Sequence, residues 1–540
     1  MFADAKHLAA ATPDPSGLVD QVGGALRSGD LAEAVQLLRM RLLWAPNDVN
    51  AIVKLADLLI AQCETAEAVT HLYRALAIAP VAHQLRLQLA LLQQQLGQFP
   101  LALTLIEQLP VPVRGAANVK MQEAALLGQL GRREQEIGLY QELLAERPRE
   151  PRLWISLGNA LNYAGRSKEA VRALRRAAHF SPSSGEPFWS LANLKSFRFE
   201  DRDIGAMKRA LNREITTDNA VFFHFALGKA FEERAKYPQS FEHYLAGNQL
   251  QALKLGPEQM RVTEFVDAAI ATFDRAFFDH YRQAGCHARD PIFIIGLQRS
   301  GSTLIEQILA SHPQIEGTTE LLAMQQLSDE VARLGVSNGR NALQQLADFE
   351  PGAFRRIGEE YLERTKAFRQ LGRPFFVDKL PANWLNVGLI RLALPNARII
   401  DARRHPMACG FSNFKQLYAH GVTYAYSLSS IGCFYNDYLR QMDHFDQVQP
   451  GAIHHLVNER LIENPEREIQ RLLEYVGVPF EPACLDFHRT RRAVHTPSAE
   501  QVRRPINRDG MDVWRPFQQW LGPLEEALGP TLGRWLPAPV

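Results

Sequence analysis

A glycine- and serine-rich segment near the middle of the chain has the spacing of a phosphate-binding loop. It reads Gly296-Leu-Gln-Arg-Ser-Gly301-Ser302-Thr303, with a short apolar run before it and a helical pattern after it. Backbone N–H groups in such a turn bind a phosphate together with the positive end of the following helix. Ser302 stands where ATP-binding loops carry lysine, and Arg299 offers a planar donor fork instead. The loop therefore favours a nucleotide with one 5′-phosphate and another kind of leaving group, as in a phosphosulfate, over ATP.

Four segments, in the right order along the chain, resemble the P-loop-like sulfotransferases, in the branch that includes tyrosylprotein sulfotransferases and bacterial relatives fused to TPR repeats. They are PIFIIGLQRSGSTLIEQIL, VDKLPANW, ARIIDARRHPMACGFSNF and HTPSAEQVRRPIN. The first is similar to the family's 5′-phosphosulfate loop, which implies that these residues bind the co-substrate: Arg299, Ser300, Gly301, Ser302 and Thr303. The second selects Lys379, the third implies a 3′-phosphate site at Arg404 and Ser412, and the fourth implies closure over the nucleotide by Ser498 and Arg504.

The resemblance also implies a catalytic base and a co-substrate, 3′-phosphoadenosine 5′-phosphosulfate (PAPS), used without a metal ion. The tyrosylprotein branch carries a glutamate at the spacing that selects Glu320, which lies 21 residues beyond Arg299. A hydroxyl that attacks sulfur must lose its proton, and a carboxylate within hydrogen-bond reach can accept it. Charge that builds on the leaving 5′-phosphate would be stabilised by Arg299, Lys379 and Ser498. The chain has Thr319 where that branch commonly has a second acid, so the acceptor stays open.

Four prolines in the N-terminal half follow one 34-residue register, which is the period of TPR repeats. Pro46, Pro80, Pro148 and Pro182 are separated by 34, 68 and 34 residues, and the skipped position falls on Arg114. Proline ends the second helix of such a repeat because it cannot supply the backbone N–H that the helix needs. The register predicts an array of helix pairs. A plain helical bundle with coincident prolines is the alternative.

The composition changes near residue 288, where short apolar runs begin to alternate with helical patterns. After the loop, these runs occupy 375–377, 397–402 and 453–457. Such alternation predicts a parallel sheet with helices on both faces. The predicted class is α plus α/β: an all-α TPR solenoid at 15–254, a helical linker at 255–287, and a P-loop-like α/β sulfotransferase domain at 288–540.

The composition also limits the partners and the compartment that we expect. Sixty Lys and Arg residues balance 59 Asp and Glu residues, so no basic excess points to nucleic acid. The five cysteines never have Cys-x-x-Cys spacing, which argues against a disulfide framework and a thiolate metal site. The sequence lacks a secretory pattern and an apolar stretch long enough for a membrane span. We expect a cytoplasmic protein of unknown oligomeric state.

Several functions remain open at this point. The leading hypothesis is sulfation of a protein or peptide that the TPR array holds, with tyrosine as the candidate acceptor residue. A second hypothesis keeps the enzyme but gives it a carbohydrate or small-metabolite acceptor. A third is a TPR interaction protein with a silent nucleotide-binding module, and a P-loop kinase is disfavoured because Ser302 replaces the loop lysine.

Overall fold

A computed structural model describes residues 17–62, 64–194, 196–256, 262–336, 343–419, 421–490 and 501–535. The chain divides into two compact units, Met1–Arg132 and Arg133–Val540. Among the described residues, no helix is both long and apolar enough to cross a membrane.

The described part of the first unit is built from α-helices arranged in successive antiparallel pairs. They are α1 Gly17–Ser28, α2 Leu31–Trp44, α3 Val49–Ala61, α4 Thr65–Ile78, α5 His83–Gln95, α6 Phe99–Glu107, α7 Val111–Arg114 and α8 Ala117–Gln129. Asp30 and Asp48 cap α2 and α3, since their carboxylates accept backbone N–H groups of the first turn. Leu55 and Leu72 are fully buried between paired helices.

The second unit begins with further helices before its sheet. They are α9 Arg133–Glu146, α10 Pro151–Tyr163, α11 Ser167–Phe180, α12 Glu186–Ala192, α13 Asp201–Leu211, α14 Thr217–Glu232, α15 Tyr237–Leu255, α16 Val262–Thr272 and α17 Arg275–His280. Small residues allow the paired helices to approach closely. A Cβ added to Gly158 would stand 2.6 Å from Leu174, and one added to Gly228 would stand 2.6 Å from Tyr244. Glycine is therefore needed both for the close approach of α14 to α15 and for that of α10 to α11.

The predicted proline register is confirmed, because each of the four prolines follows a second helix by two residues. The helices α2, α4, α9 and α11 end at Trp44, Ile78, Glu146 and Phe180, respectively. Proline is common at this distance past a helix end, since it cannot continue the hydrogen-bond ladder. The N-terminal part of the chain is thus a TPR solenoid.

The rest of the second unit is an α/β domain. Its strands are β1 Pro291–Gly296, β2 Ile315–Gly317, β3 Phe375–Asp378, β4 Arg398–Arg403 and β5 Ile453–Val457. Its α-helices are α18 Ser302–Ala310, α19 Ala323–Val336, α20 Pro351–Lys366, α21 Val387–Ala393, α22 Pro406–Phe414, α23 Leu428–Val448, α24 Asn458–Glu463, α25 Pro465–Val476 and α26 Gly522–Leu528. Its 3-10 helices are Gln344–Asp348, Pro381–Asn386, Thr423–Tyr426, Pro482–Cys484, Phe487–Arg489, Gln501–Arg503, Arg515–Trp520 and Gly529–Trp535.

The five described strands form one parallel sheet in the order β2-β3-β1-β4-β5. Every residue of the central strand β1 is buried, as expected where helices cover both faces. Successive side chains of β1 point to opposite faces. Ile294 therefore packs in a cluster with Ile308 and Leu472 on one face, while the ring of Phe293 lies 5.3 Å from that of Tyr361 on the other. The sequence-based prediction of a parallel sheet between helical layers is confirmed.

The segment expected to be a helical linker, 255–287, packs closely on the α/β domain. Phe273 is 2% exposed, and its ring lies 6.1 Å from that of Phe445 on α23. The hydroxyl of Thr263 donates to Asp437 on the same helix at 2.6 Å. In its described part this segment contributes to the core of the domain. The predicted domain boundaries are not tested by these contacts.

The helix pair α14–α15 is attached to α22 of the α/β domain through a shielded ion pair. Lys415 donates from Nζ to Glu232 at 2.7 Å, and Tyr244 donates from its hydroxyl to the same carboxylate at 2.7 Å. The amide of Asn248 donates to the carbonyl of Phe414 at 2.8 Å. Burial by itself would raise the pKa of Glu232, but the neighbouring lysine charges and these hydrogen bonds hold it at about 2. Glu232 therefore stays ionised and neutralises Lys415.

We predict that Glu232→Ala destabilises the second unit by about 3 kcal/mol, because it leaves the charge of Lys415 shielded from water and unpaired. Asp218→Ala, which removes the exposed partner of Lys254 on the same helix pair, is the matched control and should cost less than about 1 kcal/mol. Urea unfolding followed by tryptophan fluorescence measures both. Equal effects of the two substitutions would contradict the role assigned to the ion pair.

Candidate active site

Most of the sequence-predicted residues in the described part of the chain lie at one edge of the sheet. In a parallel sheet all strands end at the same edge, and ligands bind in the crevice outside those ends. The loop at 297–301 follows β1, Lys379 follows β3, and Arg404 follows β4. Glu320 comes three residues after β2. Pairing of β1 with both β3 and β4 places the loop between the other two segments.

The loop after β1 is held in a conformation that restricts the residues it can contain. Gly296 has φ +131°, and a Cβ there would meet the carbonyl oxygen of Ala402 at 2.5 Å. Gly301 has φ +99° and caps α18, and a Cβ there would meet the Asn458 side chain at 2.7 Å. Arg299 has φ +68°, which is uncommon for a residue other than glycine and is found at strained functional loops. The surrounding contacts must therefore hold the loop in place.

The buried guanidinium of Arg404 supplies one of those contacts. It is 9% exposed, and its Nη1 donates to the backbone carbonyl of Arg299 at 2.9 Å and to the hydroxyl of Ser412 at 3.3 Å. Its Nη2 donates to the carbonyl of Gly510. Burial lowers the pKa of Arg404, and the nearby charge of Arg299 adds to that effect. Within the described residues, its Nε is buried without a hydrogen-bond partner, so the pocket still contains an unsatisfied donor.

Lys379 and Glu320 form an ion pair at the neighbouring strand ends. The lysine is 2% exposed, whereas the glutamate side chain is 49% exposed. The pair therefore has a buried cation and an accessible carboxylate. Thr318 donates from its hydroxyl to the carbonyl of Val377, which fixes the chain between β2 and Glu320 against β3.

Asp378 lies directly behind this pair and is fully buried. Its carboxyl group accepts a hydrogen bond from the hydroxyl of Tyr361 at 3.0 Å and another from the backbone N–H of Leu321. Burial raises the pKa of Asp378 to about 8, although these bonds and the charge of Lys379 oppose the rise. The bond to Leu321 holds the residue that follows Glu320, so this group fixes the position of the accessible carboxylate.

Several residues that the sequence analysis did not select also hold the loop. Asn413 donates from its amide to the carbonyl of Gln298 at 2.8 Å, and Tyr424 donates to the Gln298 side chain at 2.6 Å. Tyr418 in turn donates to Asn413 at 2.6 Å. Asn413 directly follows Ser412, so the motif that identified the serine also contained a signal for the asparagine. No comparable pattern marks the two tyrosines.

Of the two site residues predicted near the C-terminus, only one lies within the described part of the chain. Ser498 lies outside the described residues. Arg504 occupies an exposed position directly after the 3-10 helix Gln501–Arg503. Val502 within that helix is buried and packs against Leu304 of α18, which brings this segment close to the helix that begins at the loop.

Among the described residues, no group of three or more His, Cys, Asp and Glu side chains is arranged to hold a metal ion.

Comparison with known families adds to this geometry. Residues 291–482, which contain the loop and all five strands, match the Sulfotransferase family. This segment is a sulfotransferase-family domain. The chain therefore combines TPR repeats with a segment that matches the Sulfotransferase family, as the sequence predicted.

Two relatives and one solved structure illustrate the similarity. An uncharacterized protein of Aquifex aeolicus (strain VF5) is 29% identical over 69% of this chain, which spans about half (49%) of that relative's length. A Caenorhabditis briggsae protein named "Putative protein-tyrosine sulfotransferase" is 26% identical over 41% of this chain and 80% of its own length. A structure of MamA from Desulfovibrio magneticus RS-1 matches 32% of this chain and 98% of its own length at 18% identity, with a TM-score of 0.29, too low to support a conclusion.

The buried carboxyl group of Asp378 leads to a prediction about pH. In the folded protein Asp378 is protonated up to about pH 8, whereas an unfolded aspartate ionises near pH 4. Folding must therefore take up a proton between these values, which lowers the stability of the wild type as the pH rises from about 4 to about 8. Asp378→Asn removes this dependence. We expect its melting temperature, relative to wild type, to increase between pH 4 and pH 8.

Differential scanning fluorimetry across that pH range measures the effect. Asp279→Asn, which changes an exposed carboxylate, is the matched control and should follow the wild type at every pH. A constant offset between Asp378→Asn and wild type would show that Asp378 ionises normally in the folded protein.

Proposed function

We propose that this chain is a PAPS-dependent sulfotransferase that sulfates a tyrosine hydroxyl in a protein or peptide. The observation that carries the proposal is that the buried guanidinium of Arg404 donates to Ser412 and to the loop carbonyl of Arg299, which supports a second anion site beside a phosphate-binding loop. A nucleotide with a 5′-phosphosulfate and a 3′-phosphate has negative charge at two such places. The match of 291–482 to the Sulfotransferase family supports the same reaction class.

The residues of the loop fit the 5′ side of this nucleotide. The first-turn N–H groups of α18 lack helical partners by geometry and point toward the loop, where they can donate to phosphate oxygens. Ser300, Ser302 and Thr303 are buried, and the hydroxyl of Ser300 donates to the carbonyl of Leu297 within the loop at 2.7 Å. Arg404, with its buried unsatisfied Nε, fits the 3′-phosphate, because a charged acceptor would satisfy this donor.

Glu320 is the proposed base. Its carboxylate is accessible, whereas the ammonium of Lys379 that pairs with it is buried. Glu320 takes the proton of the acceptor hydroxyl as the new oxygen–sulfur bond forms and the bond between sulfur and the bridging oxygen breaks. PAPS supplies the sulfuryl group and leaves as 3′-phosphoadenosine 5′-phosphate (PAP). Arg299, Lys379, Ser498 and the loop N–H groups stabilise the charge that develops on the leaving 5′-phosphate.

Tyrosine is proposed as the acceptor because the Caenorhabditis briggsae relative carries that description and because the TPR repeats could hold a polypeptide. Incubation with labelled PAPS and panels of tyrosine peptides, glycans and simple phenols tests the proposal. Transfer to glycans alone would show that the acceptor is a carbohydrate and not tyrosine. Absence of transfer to every panel, from protein shown to bind PAP, would refute the enzymatic function.

We predict that the protein binds PAP at least tenfold more tightly than AMP, because hydrogen bonds to a charged 3′-phosphate contribute about 1.5 to 3 kcal/mol each. Arg404→Ala should abolish this preference, and Ser412→Ala should reduce it. Arg282→Ala, which changes an exposed arginine between α17 and β1, is the control. Isothermal titration calorimetry that finds equal affinities for the two nucleotides in wild type would contradict the 3′-phosphate site.

We also predict that Glu320→Gln lowers turnover by about 10² to 10⁴, the usual contribution of a positioned general base, while PAP affinity stays nearly unchanged. The glutamine keeps an acceptor for Lys379, so the loss reports on proton transfer and not on folding. Glu359→Gln, at an exposed position of α20, should behave as wild type. Wild-type turnover in Glu320→Gln would show that Glu320 is not the catalytic base.

A further inference from the structure

The carboxylate of Glu459 borders both of the proposed anion sites. Glu459 lies on α24, directly after β5, and β5 pairs in parallel with β4, the strand that Arg404 follows. The residue before it, Asn458, packs against the phosphate loop, since a Cβ added to Gly301 would meet the Asn458 side-chain oxygen at 2.7 Å. Glu459 therefore stands at the same edge of the sheet as the loop and the buried guanidinium.

One oxygen of this carboxylate holds the main chain beside Arg404. The backbone N–H of His405 donates to Oε1 of Glu459 at 3.0 Å. The carbonyl of the same peptide bond, which belongs to Arg404, accepts a hydrogen bond from the hydroxyl of Tyr435 at 2.7 Å. Both polar groups of this peptide bond are thus satisfied, and the bond to His405 fixes the carboxylate next to the residue that carries the guanidinium.

The other oxygen of Glu459, Oε2, is buried and has no hydrogen-bond partner within the described residues. The Nε of Arg404 is in the same state. Burial lowers the pKa of Arg404, and the charge of Glu459 opposes that effect, so the two groups are close enough to interact. A buried polar atom without a partner costs free energy. A ligand that satisfies both atoms must offer an acceptor to Arg404 and a hydrogen-bond donor to Glu459.

A ribonucleoside 3′,5′-bisphosphate offers this combination. Its 3′ and 5′ oxygens are esterified, so the 2′-hydroxyl is the one free hydroxyl of the ribose, on the carbon next to the one that bears the 3′-phosphate. A hydroxyl can donate, whereas an ionised carboxylate only accepts. In dinucleotide-binding folds, an Asp or Glu accepts a hydrogen bond from the ribose 2′-hydroxyl in this way. Phosphate oxygens have no proton to donate and would repel the carboxylate.

We propose that Oε2 of Glu459 accepts a hydrogen bond from the 2′-hydroxyl of the bound nucleotide and makes the protein select ribonucleotides over 2′-deoxyribonucleotides. This inference rests on the proposed function, because it requires the 3′-phosphate to bind at Arg404. The positive charge of Arg404 offsets the repulsion between that phosphate and the carboxylate. Glu459 is a specificity residue for the nucleotide and takes no part in sulfuryl transfer.

Isothermal titration calorimetry of the full chain with PAP and with 2′-deoxyadenosine 3′,5′-bisphosphate tests the proposal. The wild type should bind PAP about tenfold more tightly, because the deoxynucleotide leaves a buried charged acceptor unsatisfied. Glu459→Gln keeps an oxygen for the backbone N–H of His405 and replaces the second oxygen by an NH₂ group, which cannot accept a hydrogen bond. This variant should bind the two nucleotides with affinities within about twofold of each other.

Glu463→Gln, at an exposed position of the same helix α24, is the matched control and should keep the wild-type preference. Equal affinities of the wild type for the two nucleotides would overturn the proposal, and so would a tenfold preference that persists in Glu459→Gln. A parallel loss of affinity for both nucleotides in Glu459→Gln would also overturn it, because the carboxylate would then only hold the chain beside Arg404. Failure of the wild type to prefer PAP over AMP would instead refute the 3′-phosphate site of the proposed function.

Discussion

The buried guanidinium of Arg404 is the group on which the arrangement of the catalytic edge depends. It joins three segments that are distant in sequence: the loop at Arg299, the helix α22 at Ser412, and the C-terminal segment at Gly510. A buried cation is costly unless its donors are used, so each of these acceptors is held in place by the same requirement. The positive φ of Arg299 persists because its carbonyl is one of them. The conformation of the loop and the position of the Arg404 guanidinium therefore depend on the same contacts.

The TPR repeats nearest the sheet contribute to the same assembly. The pairing of Glu232 with Lys415 attaches α14 to the end of α22, whose preceding turn carries Ser412. Rings reinforce the attachment, since Phe241 stacks on Phe414 at 5.9 Å and on Trp520 at 5.4 Å. Removal of this helix pair would expose those rings and leave Lys415 unpaired. The helices α14 and α15 are accordingly a structural part of the α/β domain.

The sequence predicted the features that depend on local order, because those leave a regular or contiguous pattern. The proline register follows from helix ends, and the loop follows from a strand, a glycine turn and a helix that are adjacent in the chain. Lys379 and Arg404 were selected because each lies in a contiguous segment that resembles a sulfotransferase motif. Contacts across large sequence separations left no such pattern. Glu232 and Lys415 are separated by 183 positions, and nothing near either residue indicates the other.

The charges near the loop are paired unequally. Lys379 is neutralised by Glu320 and Lys415 by Glu232, so two of the cations at this edge already have a carboxylate partner. In the described part of the chain, Arg404 has two backbone carbonyls and a hydroxyl as its acceptors, all of them uncharged. Dipoles satisfy its N–H groups only in part and do not cancel its charge, which burial makes expensive. A bound anion would accept hydrogen bonds from the N–H groups of Arg404 and would also balance its positive charge. Arg404 thus lies beside the loop with uncharged hydrogen-bond acceptors and with Glu459 near enough to interact with its charge, whereas the two lysines are paired directly with carboxylates.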